Sequence, residues 1–165
     1  MITLSRLKEL LHYCQETGLF VRLVSTSSNA KVGDVAGRKH SRGYWHIGID
    51  GKDYLAHRLA WLYMTGAWPT NQIDHINGVR DDNRISNLRG ATNAENQQNT
   101  ALRDDNTSGF MGVSWFRERG KWHARITIAG KDKHLGYFDT PEDAHEAYLT
   151  AKAAHHRFQP VMRAG

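Results

Sequence analysis

Residues 72–99 read QIDHINGVRDDNRISNLRGATNAENQQN, and the rest of the chain is organised around them. An acid stands beside a histidine at Asp74-His75. A Gly-containing turn follows at Asn77-Gly78, and the polar run Asp81-Asp82-Asn83-Arg84 leads to Asn87 and a short apolar step at Leu88. Residues 91–99 read as the start of a helix: Thr92 is a candidate N-cap, and Glu95, three residues on, has the spacing of a capping box. Asn96 then falls one turn inside that helix. The expected order is strand, long polar loop, short strand, helix. The polar side chains it could gather are Asp74, His75, Asn87 and Asn96.

Those four groups suit metal-assisted hydrolysis of a phosphodiester. The reaction needs a base to take a proton from water and a cation to polarise the phosphate and stabilise the departing oxygen. His75 is the natural base, because an imidazole can be neutral at working pH. Asp74 and Asn96 offer a carboxylate and an amide carbonyl, hard oxygen donors that suit Mg²⁺ better than Zn²⁺. Asn87 can hydrogen-bond near His75 and fix its orientation. Singly, a DH pair or an Asn-Gly hairpin turn says little; the ordered set is what carries the reading.

The stretch resembles the HNH nuclease motif of the ββα-metal type, in the subgroup of phage and intron homing endonucleases with a "DHxNG…DNRxxNL…T…EN" pattern. Asp74 and His75 match its DH, Asn87 the middle Asn, and Asn96 the helix position. The resemblance implies that His75 is the general base, that Asp74 and Asn96 hold one divalent metal ion (Mg²⁺, with Mn²⁺ as the alternative), and that Asn87 positions the base. The chain departs from the pattern's name because the helix position holds Asn and not His.

The whole chain has room for one ordinary domain or two small ones at 165 residues. A formal net charge of +5, with ten histidines besides, favours a polyanionic partner. The single cysteine, Cys14, excludes a disulfide framework or a cysteine-based zinc site within one chain. No apolar run approaches a membrane span and no signal peptide opens the sequence, so an intracellular location is expected, with no small-molecule cofactor.

Upstream, residues 4–14 (LSRLKELLHYC) have apolar residues at helical spacing, and residues 18–24 (GLFVRLV) read as a strand. Residues 31–61 read as Gly-punctuated strands, with 44–49 the clearest and Asp50-Gly51 a hairpin signal. Lys31, Arg38, Lys39, His40 and Arg42 make that segment basic, so it is either a solvated face or a track for a DNA backbone. Residues 54–66 (YLAHRLAWLYMTG) read as a short buried helix ending at Gly66. "AHRLAW" ahead of DH resembles the same nuclease subgroup; His57 is expected near the site and Arg58 on a phosphate or in a structural role.

Residues 102–108 are the candidate boundary between two modules, 1–103 and 109–159. In the second, 111–116, 121–128 and 133–138 are strand-like. Trp122, Ala124, Ile126 and Ile128 alternate with His123, Arg125 and Thr127. Thr140-Pro141 opens a helix with Pro at its first position. Its small-residue face (Ala144, Ala147, Tyr148, Ala151, Ala154) is expected to lie on the sheet. The segment is similar to the DNA-binding domain of plant ethylene-response (Apetala-two) factors, through Gly112-Val113, Gly120-Lys121-Trp122, Ala124, Ile126, Leu135-Gly136, Phe138, Thr140, Glu142-Asp143-Ala144 and Ala147-Tyr148. That resemblance implies a sheet that docks double-stranded DNA. Most contact positions of that family are altered here: Ser114, Phe116 and Thr127 stand where it has arginines, Arg125 an acid, and His134 a tryptophan. Arg117, Arg119, Lys121, Arg125, Lys131 and Lys133 are the DNA-binding candidates.

The expected fold class is α+β: a ββα-metal nuclease module, then a three-stranded antiparallel sheet packed on one helix. The expected activity is metal-dependent hydrolysis of DNA, by a monomer or weak dimer, with nicking favoured by one site per chain. The rival readings are a non-catalytic DNA-binding protein that keeps the nuclease fold and an RNA-directed protein. A small-molecule enzyme is disfavoured by the lack of a Gly-rich phosphate loop or nucleophile motif.

Overall fold

The computed structural model describes residues 1–98, 102 and 105–158. They form two compact units, one over Met1–Thr92 and a second opening at Asn93. The division therefore falls ahead of the expected 103/109 boundary; residues 103 and 159, which close the two expected domains, lie outside the described residues. The architecture is a mixed α/β fold of small antiparallel sheets and short helices, in agreement with the expected class.

In the first unit, α1 (Leu4–Leu10) is capped by Thr3, whose hydroxyl accepts from the Arg6 amide at 3.2 Å. The helix expected over 4–14 stops at Leu10, and the chain continues as β1 (Leu11–Tyr13), paired antiparallel with β2 (Phe20–Arg22). Leu7 and Leu11 satisfy a helical stripe, but Leu11 and Tyr13 equally satisfy strand alternation. The partner strand decides between them. The strands β3 (Arg38–Lys39), β4 (Trp45–Ile49) and β5 (Lys52–Leu55) make an antiparallel sheet in that order. Asp50 and Gly51 link β4 to β5 with φ of 48° and 74°, the twin left-handed residues of a tight hairpin turn.

Helix α2 (Ala56–Thr65) starts later than expected because Tyr54 and Leu55 are held by β4. It buries Ala56, His57, Leu59, Ala60 and Leu62 and ends on Gly66, φ 79°, whose amide donates to the Leu62 carbonyl. Strands β6 (Gln72–His75) and β7 (Leu88–Ala91) form the hairpin read from the sequence, joined by loop 76–87 with a 3-10 turn at Ile85–Asn87. One core joins these pieces, including Leu7, Leu11, Phe20, Ile47, Leu59, Ile73 and Leu88.

The second unit opens with α3 (Asn93–Gln97), directly after Thr92 as the capping reading requires. Strands β8 (Val113–Phe116), β9 (Lys121–Ile128) and β10 (Lys131–Phe138) form an antiparallel sheet with β9 central, and α4 (Pro141–His155) packs on it. Thr140 caps α4 by accepting from the Asp143 amide at 3.2 Å. Ala124 and Ile126 are buried and Arg125 and Thr127 exposed, as alternation predicts. On α4 the buried residues are Ala144, Tyr148 and Lys152, a strict i+4 row, while Ala154 is exposed. Lys152 takes the place expected for a small residue: it is buried along its whole length, and its ammonium donates to the Gln98 carbonyl at 2.7 Å. Gly112 has φ 75°, and a Cβ there would overlap the Tyr148 ring.

Candidate active site

The β6–β7 hairpin sets the site. Its register places Asp74 opposite Arg89 and His75 opposite Leu88. Asp74 is buried, and its Oδ2 accepts from Arg89 Nε at 2.8 Å and pairs with Nη2 at 2.7 Å. That contact fixes the orientation of the carboxylate.

His75 is 5 % exposed. Its Nε2 lies 3.2 Å from Asn83 Oδ1. Asn83 Nδ2 donates to the Asp81 carbonyl, also at 3.2 Å, which leaves its amide oxygen to face the ring. An accepting oxygen there means that Nε2 carries the hydrogen and Nδ1 carries the lone pair. Burial lowers the His75 pKa below the ordinary 6.5, against the Asn83 hydrogen bond and the charges of Asp74, Asp82 and Asp81, which raise it. The outcome is a neutral imidazole of fixed tautomer, which is what a general base requires.

Asn83 is itself held from far away in sequence. Its backbone carbonyl accepts from the Tyr13 hydroxyl at 2.7 Å, and the β1–β2 turn presses on it: a Cβ at Gly18, φ 74°, would sit 2.6 Å from the Asn83 carbonyl carbon and 2.5 Å from the Arg84 nitrogen. Burial pushes the Tyr13 hydroxyl up to about 12, so it stays protonated and donating.

Asn87 acts one step further back than the sequence reading placed it. Its Oδ1 accepts from the Asn77 amide at 3.0 Å, and its Nδ2 donates to Asn77 Oδ1 at 3.0 Å and to the Asp82 carbonyl at 2.8 Å. The two bonds to Asn77 staple the ends of loop 76–87 and the third ties its middle, whereas the His75 ring is held by Asn83. Asp82 is held below the ordinary carboxylate value, mainly by its hydrogen bonds from Arg84.

His57, on α2, lies against His75, near the site as expected: its ring centroid is 5.0 Å from that of His75, edge to face, and 5.5 Å from Tyr44. Its Nδ1 is buried without a hydrogen-bond partner, and burial, with the neighbouring charges of His75, Arg58 and His46, pushes it down to about 3. Arg58 turns away, donating to the Pro69 carbonyl at 3.3 Å with its guanidinium over Trp68. Tyr44, which the sequence reading took only as the start of a strand, has its ring 6.1 Å from His75. Asn83 was likewise read only as part of a polar run.

Asn96 lies on α3 in the second unit. Among the described residues no three His, Cys, Asp or Glu side chains gather as a metal cluster. In that unit the six basic candidates divide. Lys121 and Arg125 share the exposed register face of β9 with His123, and Arg119 covers Tyr137 at 4.5 Å on the same side. Lys131 and Lys133 stand opposite Ile128 and Ile126, on the other register face, and Arg117 is in the β8–β9 turn. The exposed face also carries His123 bonded to His134 at 2.7 Å, with Tyr137 and Phe116 against them.

The profile described as HNH endonuclease matches residues 54–98, which span α2, the β6–β7 hairpin and α3. Protein 3.8 of Escherichia phage T7 is 34% identical over 103 residues, 62% of this chain and 85% of that protein. A solved structure titled for DNA binding and cleavage by the HNH homing endonuclease I-HmuI resembles this chain with a TM-score of 0.46 and 22% identity, covering 94% of this chain and 92% of that one. The chain belongs to the family of phage T7 protein 3.8, and within it residues 54–98 are an HNH endonuclease domain.

Proposed function

We propose that this chain is a divalent-metal-dependent DNA endonuclease of the homing type, which hydrolyses phosphodiester bonds and nicks one strand per site. One observation supports it above the rest: a buried His75 whose Nε2 faces Asn83 Oδ1 at 3.2 Å, next to an oriented Asp74 on the same strand.

In this reading His75 Nδ1 takes the proton of the attacking water while Asn83 holds the opposite nitrogen. Asp74 and Asn96 are the proposed donors to one Mg²⁺ or Mn²⁺ ion. A buried carboxylate and an amide oxygen are the hard oxygen donors that fit such a cation. Bound there, it supplies Lewis-acid stabilisation of the phosphate and of the departing 3′ oxygen. Asn87 keeps loop 76–87 closed, and with it the position of Asn83. Arg117, Arg119, Lys121, Arg125, Lys131 and Lys133 are proposed to hold the flanking backbone of double-stranded DNA, with the second unit acting as an Apetala-two-like docking module. The protein is proposed to work as a monomer or weak dimer inside the host cell, without a small-molecule cofactor; no helix among the described residues is long and apolar enough to cross a membrane.

The test is cleavage of supercoiled plasmid. Nicked circles are expected with Mg²⁺ and none with EDTA, and His75→Ala should lose at least about 10²-fold in rate while still binding DNA. One observation favours the rival, a non-catalytic DNA-binding protein: Arg89 already neutralises Asp74 and competes with a cation for it. Duplex binding without any cleavage across Mg²⁺, Mn²⁺ and several sequences would decide for that rival.

A further inference from the structure

The loop that carries Asn83 also carries an arginine that neither its neighbours nor the chemistry above employs. Arg84 bonds Asp82, with Nε to Oδ1 at 2.7 Å, and Arg89 bonds Asp74. Lys39 takes Asp81, the acid next to Arg80. With both adjacent carboxylates engaged elsewhere, Arg80 makes no ion pair among the described residues.

It is nevertheless not a loose surface side chain. Its guanidinium lies over the Tyr44 ring, 5.3 Å from the centroid, and Nη1 donates to the Arg42 carbonyl at 2.9 Å. Its stem runs along the turn at Gly43, where a Cβ would come within 3.6 Å of Arg80 Cδ. Tyr44 in turn faces His75. A guanidinium has five N–H donors in a planar fork, and one bond to a carbonyl leaves the others for a ligand. An exposed, un-neutralised guanidinium fixed at two points, one aromatic ring away from a buried base, is a poor way to stabilise a fold. It is a good way to receive an anion that lies against that base.

We propose that Arg80 binds a phosphate of the DNA backbone beside His75, with Tyr44 as the platform that aims it. Its chemistry is that of a fork donating to the non-bridging oxygens of one phosphodiester. Simple stacking of an arginine on a tyrosine is the alternative, and it would leave DNA indifferent to the charge.

The inference rests on the nuclease reading for its second measurement but not for its first. The first is equilibrium binding of a short duplex in EDTA at several salt concentrations. Arg80→Gln, which keeps a polar planar end but removes the charge, should weaken binding about 10-fold at low salt and flatten the log–log salt slope by about 1. Arg80→Lys should recover the slope. The second is the nicking rate at saturating DNA in Mg²⁺. Here Arg80→Gln should fall about 10²-fold, with Arg80→Lys only partly rescued because the fork is lost. Wild-type affinity and salt slope in Arg80→Gln overturn the proposal. Weakened binding with an unchanged saturating rate puts the contact elsewhere on the DNA and overturns its placement at the base. If the wild-type protein binds but never nicks, the endonuclease reading falls, and the salt slope still decides whether Arg80 holds phosphate.

Discussion

Asn83 donates to one backbone carbonyl, offers its amide oxygen to His75 and has its own carbonyl gripped by Tyr13. Replacing it with Ala releases Nε2 and lets the imidazole choose the other tautomer. Nicking at saturating DNA should fall about 10- to 100-fold, the range found when groups supporting a metal or base ligand are lost, with duplex affinity unchanged. An Asn83→Ala protein that nicks at the wild-type rate would show that the base is oriented by something else. His57 makes a prediction about stability. Its folded pKa is pushed down to about 3 while the ordinary value is 6.5, so between these limits the unfolded chain binds a proton that the folded chain does not. Stability therefore rises with pH across that window and is lost as pH falls through it, with a slope of up to about 1.4 kcal/mol per pH unit from this residue. The lowered His75 pKa acts in the same sense. His57→Phe keeps a ring beside the base and removes the titration, so denaturation curves taken from pH 6.5 downward should lose part of their acid slope. An unchanged slope would show that His57 is already protonated in the fold.

The elements differ in how plainly the sequence declares them. The β6–β7 hairpin, α4 with its Thr-Pro start and the central strand β9 were legible, because each has a local signal: polar loop residues, a cap, strict alternation. The switch at Leu10–Leu11 was not, since Leu7, Leu11 and Tyr13 fit both a helical and a strand pattern and only the pairing with Phe20–Arg22 separates them. The contact face of α4 was half legible. Its period was right, but Lys152 replaced Ala154 because a distant carbonyl, that of Gln98, satisfies the ammonium. At this scale Gly112 is the sensitive point. Its left-handed φ and the Tyr148 ring against it leave no place for a side chain. Gly112→Ala should destabilise the second unit by about 1–3 kcal/mol, seen as faster amide exchange along β9 with β6 unaffected. Uniform exchange in both hairpins would contradict that localisation.

At the scale of the molecule, two units with separate hydrophobic clusters carry a net charge of +5. The division of labour proposed for them predicts separable kinetics. Neutralising Arg119, Lys121 and Arg125 together should weaken duplex affinity and flatten its salt dependence, with a slope change of up to about 3. The His75-dependent rate at saturating DNA should remain. A large fall in that saturating rate would instead place the second unit in the chemistry. The pairing of Asp74 with His75 on one strand was legible, and both side chains are buried there. The partner of the His75 ring was not, because its position depends on a loop path set by a tyrosine 70 residues away.

That distant brace bears on how such a site can be reused. The span matched by the HNH endonuclease family, residues 54–98, contains His75 and its loop but neither Tyr13 nor Gly18. Transplanted alone onto another scaffold, the motif would carry its reactive groups without the strut that aims them. A graft meant to test the proposed chemistry would therefore need Tyr13 and Gly18 as well as the matched span, because they hold the loop that faces His75.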